Sequence, residues 1–213
     1  MKVKLKKKNY PGRLIVFEGT DGAGKSTMID MAKEYLSERI GAENLIFVKQ
    51  PTDISRKTKL FQKMIYCKNA ADVNYRAMQL LTLSDRVQHG FEIIEPALEK
   101  GKTVICDRYI YTSVANMFAR GYRKEKWFFQ AAKNILKPDI VFWADADPSL
   151  AISRIRARPD EATRHLDERL LERVYGEFLN MRRANGFIRL QTGLPSEQAF
   201  ERAKQALDGL YKD

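Results

Sequence analysis

Phe17-Glu18-Gly19-Thr20-Asp21-Gly22-Ala23-Gly24-Lys25-Ser26-Thr27 is the stretch that decides how this chain folds. It holds G-x-x-x-x-G-K-S at residues 19–26, between the apolar run Leu14-Ile15-Val16-Phe17 and a segment with helical spacing at Met28, Met31, Ala32, Tyr35 and Leu36. Strand, glycine loop and helix in that order is the setting in which this spacing cradles phosphate. The glycines allow a tight turn and close approach to a polyanion. Successive backbone N–H groups then point inward, aided by the positive end of the helix. The expectation is a nucleoside triphosphate, ATP, bound with Mg²⁺ by Gly19, Thr20, Asp21, Gly22, Ala23, Gly24, Lys25, Ser26 and Thr27. Lys25 would reach the β- and γ-phosphates, and Ser26 would ligate the metal.

Outward from this loop the alternation repeats. Short apolar runs at Leu45-Ile46-Phe47-Val48, Thr103-Val104-Ile105-Cys106, Ile140-Val141-Phe142-Trp143-Ala144 and Phe187-Ile188-Arg189-Leu190 are separated by helical patterns. The first helix runs to about Ile40 and ends at Gly41, and a long one covers about 73–99. Others are expected after Tyr109, at about 127–136, 149–158 and 167–185, and at the C-terminal end through Leu210. Five buried strands alternating with helices predict an α/β fold, a five-stranded parallel sheet with helices on both faces. Ligands of such sheets sit beyond the carboxyl ends of the strands. Those ends carry residues 19–26, Gln50-Pro51-Thr52, Asp107-Arg108-Tyr109 and Asp145.

A length of 213 residues and 44% hydrophobic content suit one domain with a full core. The division expected is a basic extension at 1–12 followed by a single domain at 13–213. No apolar stretch reaches the roughly 18 residues of a membrane span, and the charged start has no apolar core of a secretory signal. Two cysteines, Cys67 and Cys106, make no disulfide framework, so the expected compartment is the cytoplasm. The formal net charge is +11, with Lys2, Lys4, Lys6, Lys7 and Lys8 at the start. These lysines read as a solvated tail, or by their alternation as a short edge strand, and a nucleotide cleft also needs positive charge. Neither nucleic acid nor a membrane is an expected partner.

Asp107, at the end of a buried strand, either supports Mg²⁺ beside Ser26 or caps the next helix. Arg108 either binds a second phosphate or lies on the surface. Asp85-Arg86, on an apolar helix, is either buried with partners or an exposed ion pair. Arg154, Arg156, Arg158 and Arg164 flank a break, and read as a lid at about 154–166 that closes over the triphosphate. His89 and His165 have no metal-ligand spacing.

Together these pieces resemble the thymidylate kinases (dTMP kinases) of the P-loop nucleoside monophosphate kinase group. The resemblance covers about residues 13–207. It rests on the loop, Pro51-Thr52, Leu80-Leu81 through Asp85-Arg86, Asp107-Arg108-Tyr109 with Ser113 and Ala115, Asp145-x-Asp147-Pro148 and Arg173-Val174-Tyr175. It implies a P-loop architecture with an arginine-bearing lid, a homodimer, and transfer of the ATP γ-phosphate to a pyrimidine nucleoside 5′-monophosphate, dTMP by default. By position, Asp21 would meet the acceptor sugar and Arg86 the base carbonyl, while Arg108, helped by Arg56, would hold the acceptor phosphate. Thr82, Ser113 and Asn116 would complete the acceptor site, with Asp107 on the metal side. Gly22 stands where some members carry a catalytic arginine, which shifts that role to Arg154 or Arg158. Thr82 replaces a phenylalanine that stacks on the base, worth about 0.5–1.5 kcal/mol beyond its buried area. Asn116 replaces an aromatic residue near the sugar's 2′ position, and Gln50 a frequent glutamate. The rival readings are a divergent relative acting on another nucleotide or nucleoside-like metabolite, and a non-kinase nucleotide-binding protein or nucleic-acid-associated ATPase.

Overall fold

A computed structural model describes residues 1–7, 9–67, 72–159 and 166–212. Five strands, β1 (Arg13–Glu18), β2 (Leu45–Lys49), β3 (Thr103–Asp107), β4 (Ile140–Asp145) and β5 (Ile188–Gln191), form one parallel sheet in the order β2-β3-β1-β4-β5. The expected fold class is the one found. β1 lies at the centre because both its faces are apolar: Leu14 and Val16 enter one core, Ile15 and Phe17 the other. A strand covered on both faces reads as a continuous apolar run, and that made it visible in the sequence.

One face is covered by α1 (Lys25–Ile40) and α10 (Ser196–Leu210), through Met28, Ala32 and Leu36 against Ala203 and Leu207. Opposite lie α4 (Tyr75–His89), α6 (Ile110–Ala119), α7 (Lys126–Ala132) and α9 (Glu168–Asn185). There Trp143 stacks on Phe178 at 6.3 Å. Three short helices, α2 (Asp53–Arg56), α3 (Lys59–Tyr66) and α5 (Glu95–Glu99), and the helix α8 (Pro148–Arg156) complete the chain.

Three expectations change. The single helix expected over 73–99 runs without interruption from Tyr75 to Glu99 but carries a π turn at Gly90–Ile94, with Pro96 in its last segment, α5. The helix expected to reach Leu136 stops at Ala132, because the backbone beyond it pairs elsewhere. Lys6 N–H donates to Ile135 O at 2.8 Å and Lys137 N–H to Lys6 O at 2.7 Å. The same pairing shows that residues 1–7 are docked rather than a solvated tail, and the edge strand shrinks to one bridge. Val3 is buried, its N–H donates to Asn185 Oδ1 at 2.8 Å, and Lys6 meets Glu95 at 3.1 Å.

A carboxylate at position 3 would be buried among apolar side chains. Val3→Asp should therefore lower the unfolding free energy by about 2–4 kcal/mol. Urea denaturation checks this; a midpoint equal to wild type would mean the segment is free in solution.

Candidate active site

β1 delivers the chain into the glycine loop, whose shape leaves no room for side chains. Gly22 has φ 73°, and a Cβ there would lie 2.2 Å from Ala151 O on α8. Helix α8 thus packs directly on the loop, and no arginine fits at position 22. Arg154, on that helix, donates to Thr192 O at 2.9 Å and Gly22 O at 3.5 Å. Arg154 and Arg158 line a cleft of ≈ 400 Å³ with Gly22, Gly24 and Thr27. Arg156 turns away to an ion pair with Glu168. Arg164, His165 and the rest of the expected lid at 160–165 lie outside the described residues.

Lys25 opens α1, and Gly24 precedes it in the left-handed region without a side-chain cap. The Lys25 ammonium folds back, donating to Gly19 O at 3.1 Å and Thr20 O at 2.6 Å. Burial, then repulsion from Arg108, pushes its pKa down to about 7, against the pull of Asp21, Asp107 and Glu18. Ser26 and Thr27 are exposed on the first turn.

β3 ends at Asp107, buried beside the loop. Its Oδ1 has no hydrogen-bond partner among the described residues, while Oδ2 lies 3.6 Å from Lys49. No group of three His, Cys, Asp or Glu able to hold a metal occurs among the described residues. One carboxylate oxygen without a partner and an exposed hydroxyl at Ser26 fit Mg²⁺, which keeps most of its waters and binds through one or two protein groups plus phosphate.

Next, Arg108 takes φ 66°, unusual for a residue with a side chain. Its guanidinium donates to Gly19 O at 2.9 Å and Thr112 Oγ1 at 3.3 Å, and pairs with Asp21. Arg56, tied through Nε to Pro51 O at 2.7 Å, has its pKa lowered by burial and then by Arg108. Arg56 and Arg108, beyond the ends of β2 and β3, are thus near enough to repel each other.

Asp85 and Arg86 are both buried, and neither is an exposed ion pair. Asp85 accepts from Thr52 N–H and Oγ1, each at 2.6 Å, and so pins the turn after β2. Arg86 donates to Thr82 O at 3.0 Å and leaves its Nε without a partner. Burial lowers its pKa, opposed by Glu18 and Asp85. Thr82 and Ser113 are buried nearby in sequence register on α4 and α6. Asn116 is engaged within α6 and with the residue that follows that helix. Its amide donates to Thr112 O at 2.9 Å and accepts from Arg120 at 2.7 Å, and Arg120 lies 4.5 Å over Tyr75. Asp145 is held by Arg189, and Asp147 caps α8 through Ser149 N–H at 2.9 Å. His89 meets Gln50 at 3.1 Å, with its pKa lowered by burial.

Glu18, Gln79, Thr112 and Arg120 were given no role from sequence. Glu18 carried a detectable sign, since an acidic residue closing an apolar central strand must be paired. The others depend on contacts between helices that no spacing announces.

A Lys25 pKa near 7 leaves the side chain largely neutral at about pH 8, and a triphosphate beside it restores the ammonium. ATP binding should then take up as much as about one proton at pH 8, falling toward zero below about pH 6. Calorimetry in buffers of different ionisation enthalpy measures this, and Lys25→Met should abolish the uptake.

The chain matches the family model described as thymidylate kinase over residues 17–203. A probable thymidylate kinase of Pyrococcus abyssi (strain GE5 / Orsay) is 36% identical over 150 residues, 69% of this chain and 71% of the relative. One of Thermococcus kodakarensis (strain ATCC BAA-918 / JCM 12380 / KOD1) is 39% identical over 150 residues, 68% and 71% respectively. The crystal structure of thymidylate kinase from Ehrlichia chaffeensis has the same fold, with a TM-score of 0.64 over 92% of this chain and 98% of that one at 23% identity. With the loop, the sheet and the profile in agreement over most of its length, this chain belongs to the thymidylate kinase family.

Proposed function

We propose that the chain is an ATP- and Mg²⁺-dependent kinase of a pyrimidine nucleoside 5′-monophosphate, with dTMP the first acceptor to test. The observation that carries this reading is the convergence of Lys25, Arg56 and Arg108 on a phosphate loop beside a carboxylate with an oxygen to spare. One polyanion needs the loop; a second needs the additional guanidiniums. An acceptor phosphate oxygen attacks the γ-phosphorus, the bond to the bridging oxygen breaks, and ADP leaves. Mg²⁺ held by Ser26 and Asp107 would neutralise phosphate charge. The chain's own part is positioning: Lys25 on the donor phosphates, Arg108 and Arg56 on the acceptor phosphate, and Arg154 or Arg158 over the cleft. Asp21, bound to Arg108, would turn to the acceptor sugar, with Arg86, Thr82, Ser113 and Asn116 around the base and sugar.

The rival acceptor reading has its own observation. Thr82 has no ring to stack on a base, and next to it Gln79 buries a carbonyl oxygen with no partner. A wall that is polar there favours an acceptor read by hydrogen bonds over one read by stacking. A homodimer, common in the family, would cover Leu80 and Phe91, which are 55% and 70% exposed. No helix among the described residues is long and apolar enough to cross a membrane.

ADP release from MgATP, measured against each common ribo- and deoxynucleoside monophosphate, tests the reading. Selective turnover of dTMP is the expected result, and Lys25→Ala should reduce it about a thousandfold or more. A better acceptor elsewhere in the panel, with Thr82→Phe restoring dTMP, would place the chain with the divergent reading. ATP hydrolysis with no acceptor, or stimulated by DNA, would overturn the kinase reading. Sedimentation should give a dimer, and Phe91→Asp a monomer.

A further inference from the structure

Glu18 is the last residue of β1 and has no exposed surface. Its Oε1 accepts from Tyr109 N–H and Thr112 N–H, each at 3.0 Å, and its Oε2 accepts from the Thr112 hydroxyl. Tyr109 stands at the N-cap of α6 and offers no side-chain cap. A carboxylate from the neighbouring strand therefore caps that helix, at the end whose dipole favours an anion. The Thr112 hydroxyl, with its proton committed to Glu18, uses a lone pair to accept from Arg108 at 3.3 Å. Arg108 is held in the left-handed region, and its own N–H donates to Phe17 O at 2.9 Å, one residue before Glu18. A non-glycine residue stays there only when its surroundings over-determine it. Burial raises the Glu18 pKa, opposed by its hydrogen bonds with Thr112 and by the charges of Arg108 and Arg86. Asp85, its sequence neighbour, is already engaged with Thr52.

We infer that Glu18 is a positioning residue for the acceptor site: through Thr112 it orients the Arg108 guanidinium. The inference rests on the kinase reading above and assigns the alignment of this arginine to a carboxylate that touches neither nucleotide. Because the carboxylate caps α6 with one oxygen and holds the Thr112 hydroxyl with the other, the two roles can be separated. Glu18→Gln keeps a carbonyl for the cap but removes the charge and turns an amide on Thr112. Thr112→Val leaves the cap and the charge and removes only the hydroxyl between Glu18 and Arg108.

Steady-state kinetics with the best acceptor, on variants shown to be folded by circular dichroism, tests this. Glu18→Gln and Thr112→Val should each lower kcat/KM for the acceptor about tenfold to a hundredfold, with KM for ATP within about threefold of wild type. Thr112→Ser, which keeps the hydroxyl, should recover to within about threefold. A purely structural cap would lower Tm and leave kcat/KM per folded enzyme unchanged. Folded Thr112→Val with wild-type acceptor kinetics overturns the inference, even where Glu18→Gln fails to fold. A wild-type chain that phosphorylates no monophosphate overturns the kinase reading together with this one; an active wild type with both variants unchanged overturns this one alone.

Discussion

Like charges repel, and this chain gathers Lys25, Arg56, Arg86 and Arg108 around the ends of adjacent strands. Lys25 and Arg86 are nearly without exposed surface, and the pKa values of Lys25, Arg56 and Arg86 are all lowered, with burial the first cause. Such a cluster works against folding, and Glu18, Asp21, Asp85 and Asp107 offset it. The parallel sheet places Glu18 and Asp107 at the ends of β1 and β3, the loop places Asp21 and α4 places Asp85. β1 and β3 are paired in register from Arg13 with Thr103 to Phe17 with Asp107, so Glu18 and Arg108 leave the sheet side by side. A site organised against its own repulsion is ready for a polyanion before one arrives, which is the condition for electrostatic catalysis without reorganisation.

The loop obeys a steric constraint rather than an electrostatic one. Helix α8 lies so close to Gly22 that its Ala151 carbonyl occupies the place of a Cβ. That contact brings Arg154 to the loop from another element, bonded to Gly22 O and Thr192 O. Absence of a side chain at position 22 and presence of an arginine on α8 are thus two sides of one packing arrangement. An arginine at 22 would need both a different backbone angle and a displaced helix.

The sheet was legible because its central strands are apolar on both faces, and α1 because a glycine at 41 ends it. The loop was legible from glycine spacing, and Asp107, Arg108 and Arg86 from their places at a strand end and on an apolar helix. What escaped was pairing across long separations. Lys6 with Leu136 and Val3 with Asn185 join backbone and side-chain groups that no local period connects. Glu18 shows the intermediate case: its burial could be inferred, but its partners Tyr109 and Thr112 belong to a helix over 90 residues away.

These differences divide the site into two parts with different tolerance for change. On the reading proposed above, phosphate would be met largely by backbone: loop N–H groups, a helix terminus, and carbonyls that hold Lys25 and Arg154 in place. Substitution alters such groups little. The base and sugar would be met by side chains, Thr82, Gln79, Arg86, Ser113 and Asn116, on α4 and α6. Any one of them can change without disturbing the loop. Gln79 Oε1 and Arg86 Nε are a buried acceptor and a buried donor that have no hydrogen-bond partner among the described residues, seven positions apart on one face of α4. Orphaned buried groups cost free energy unless a ligand completes them. On the same reading, an acceptor whose base supplies a donor to Gln79 and an acceptor to Arg86 would satisfy both groups, and the base would then be selected by hydrogen bonding.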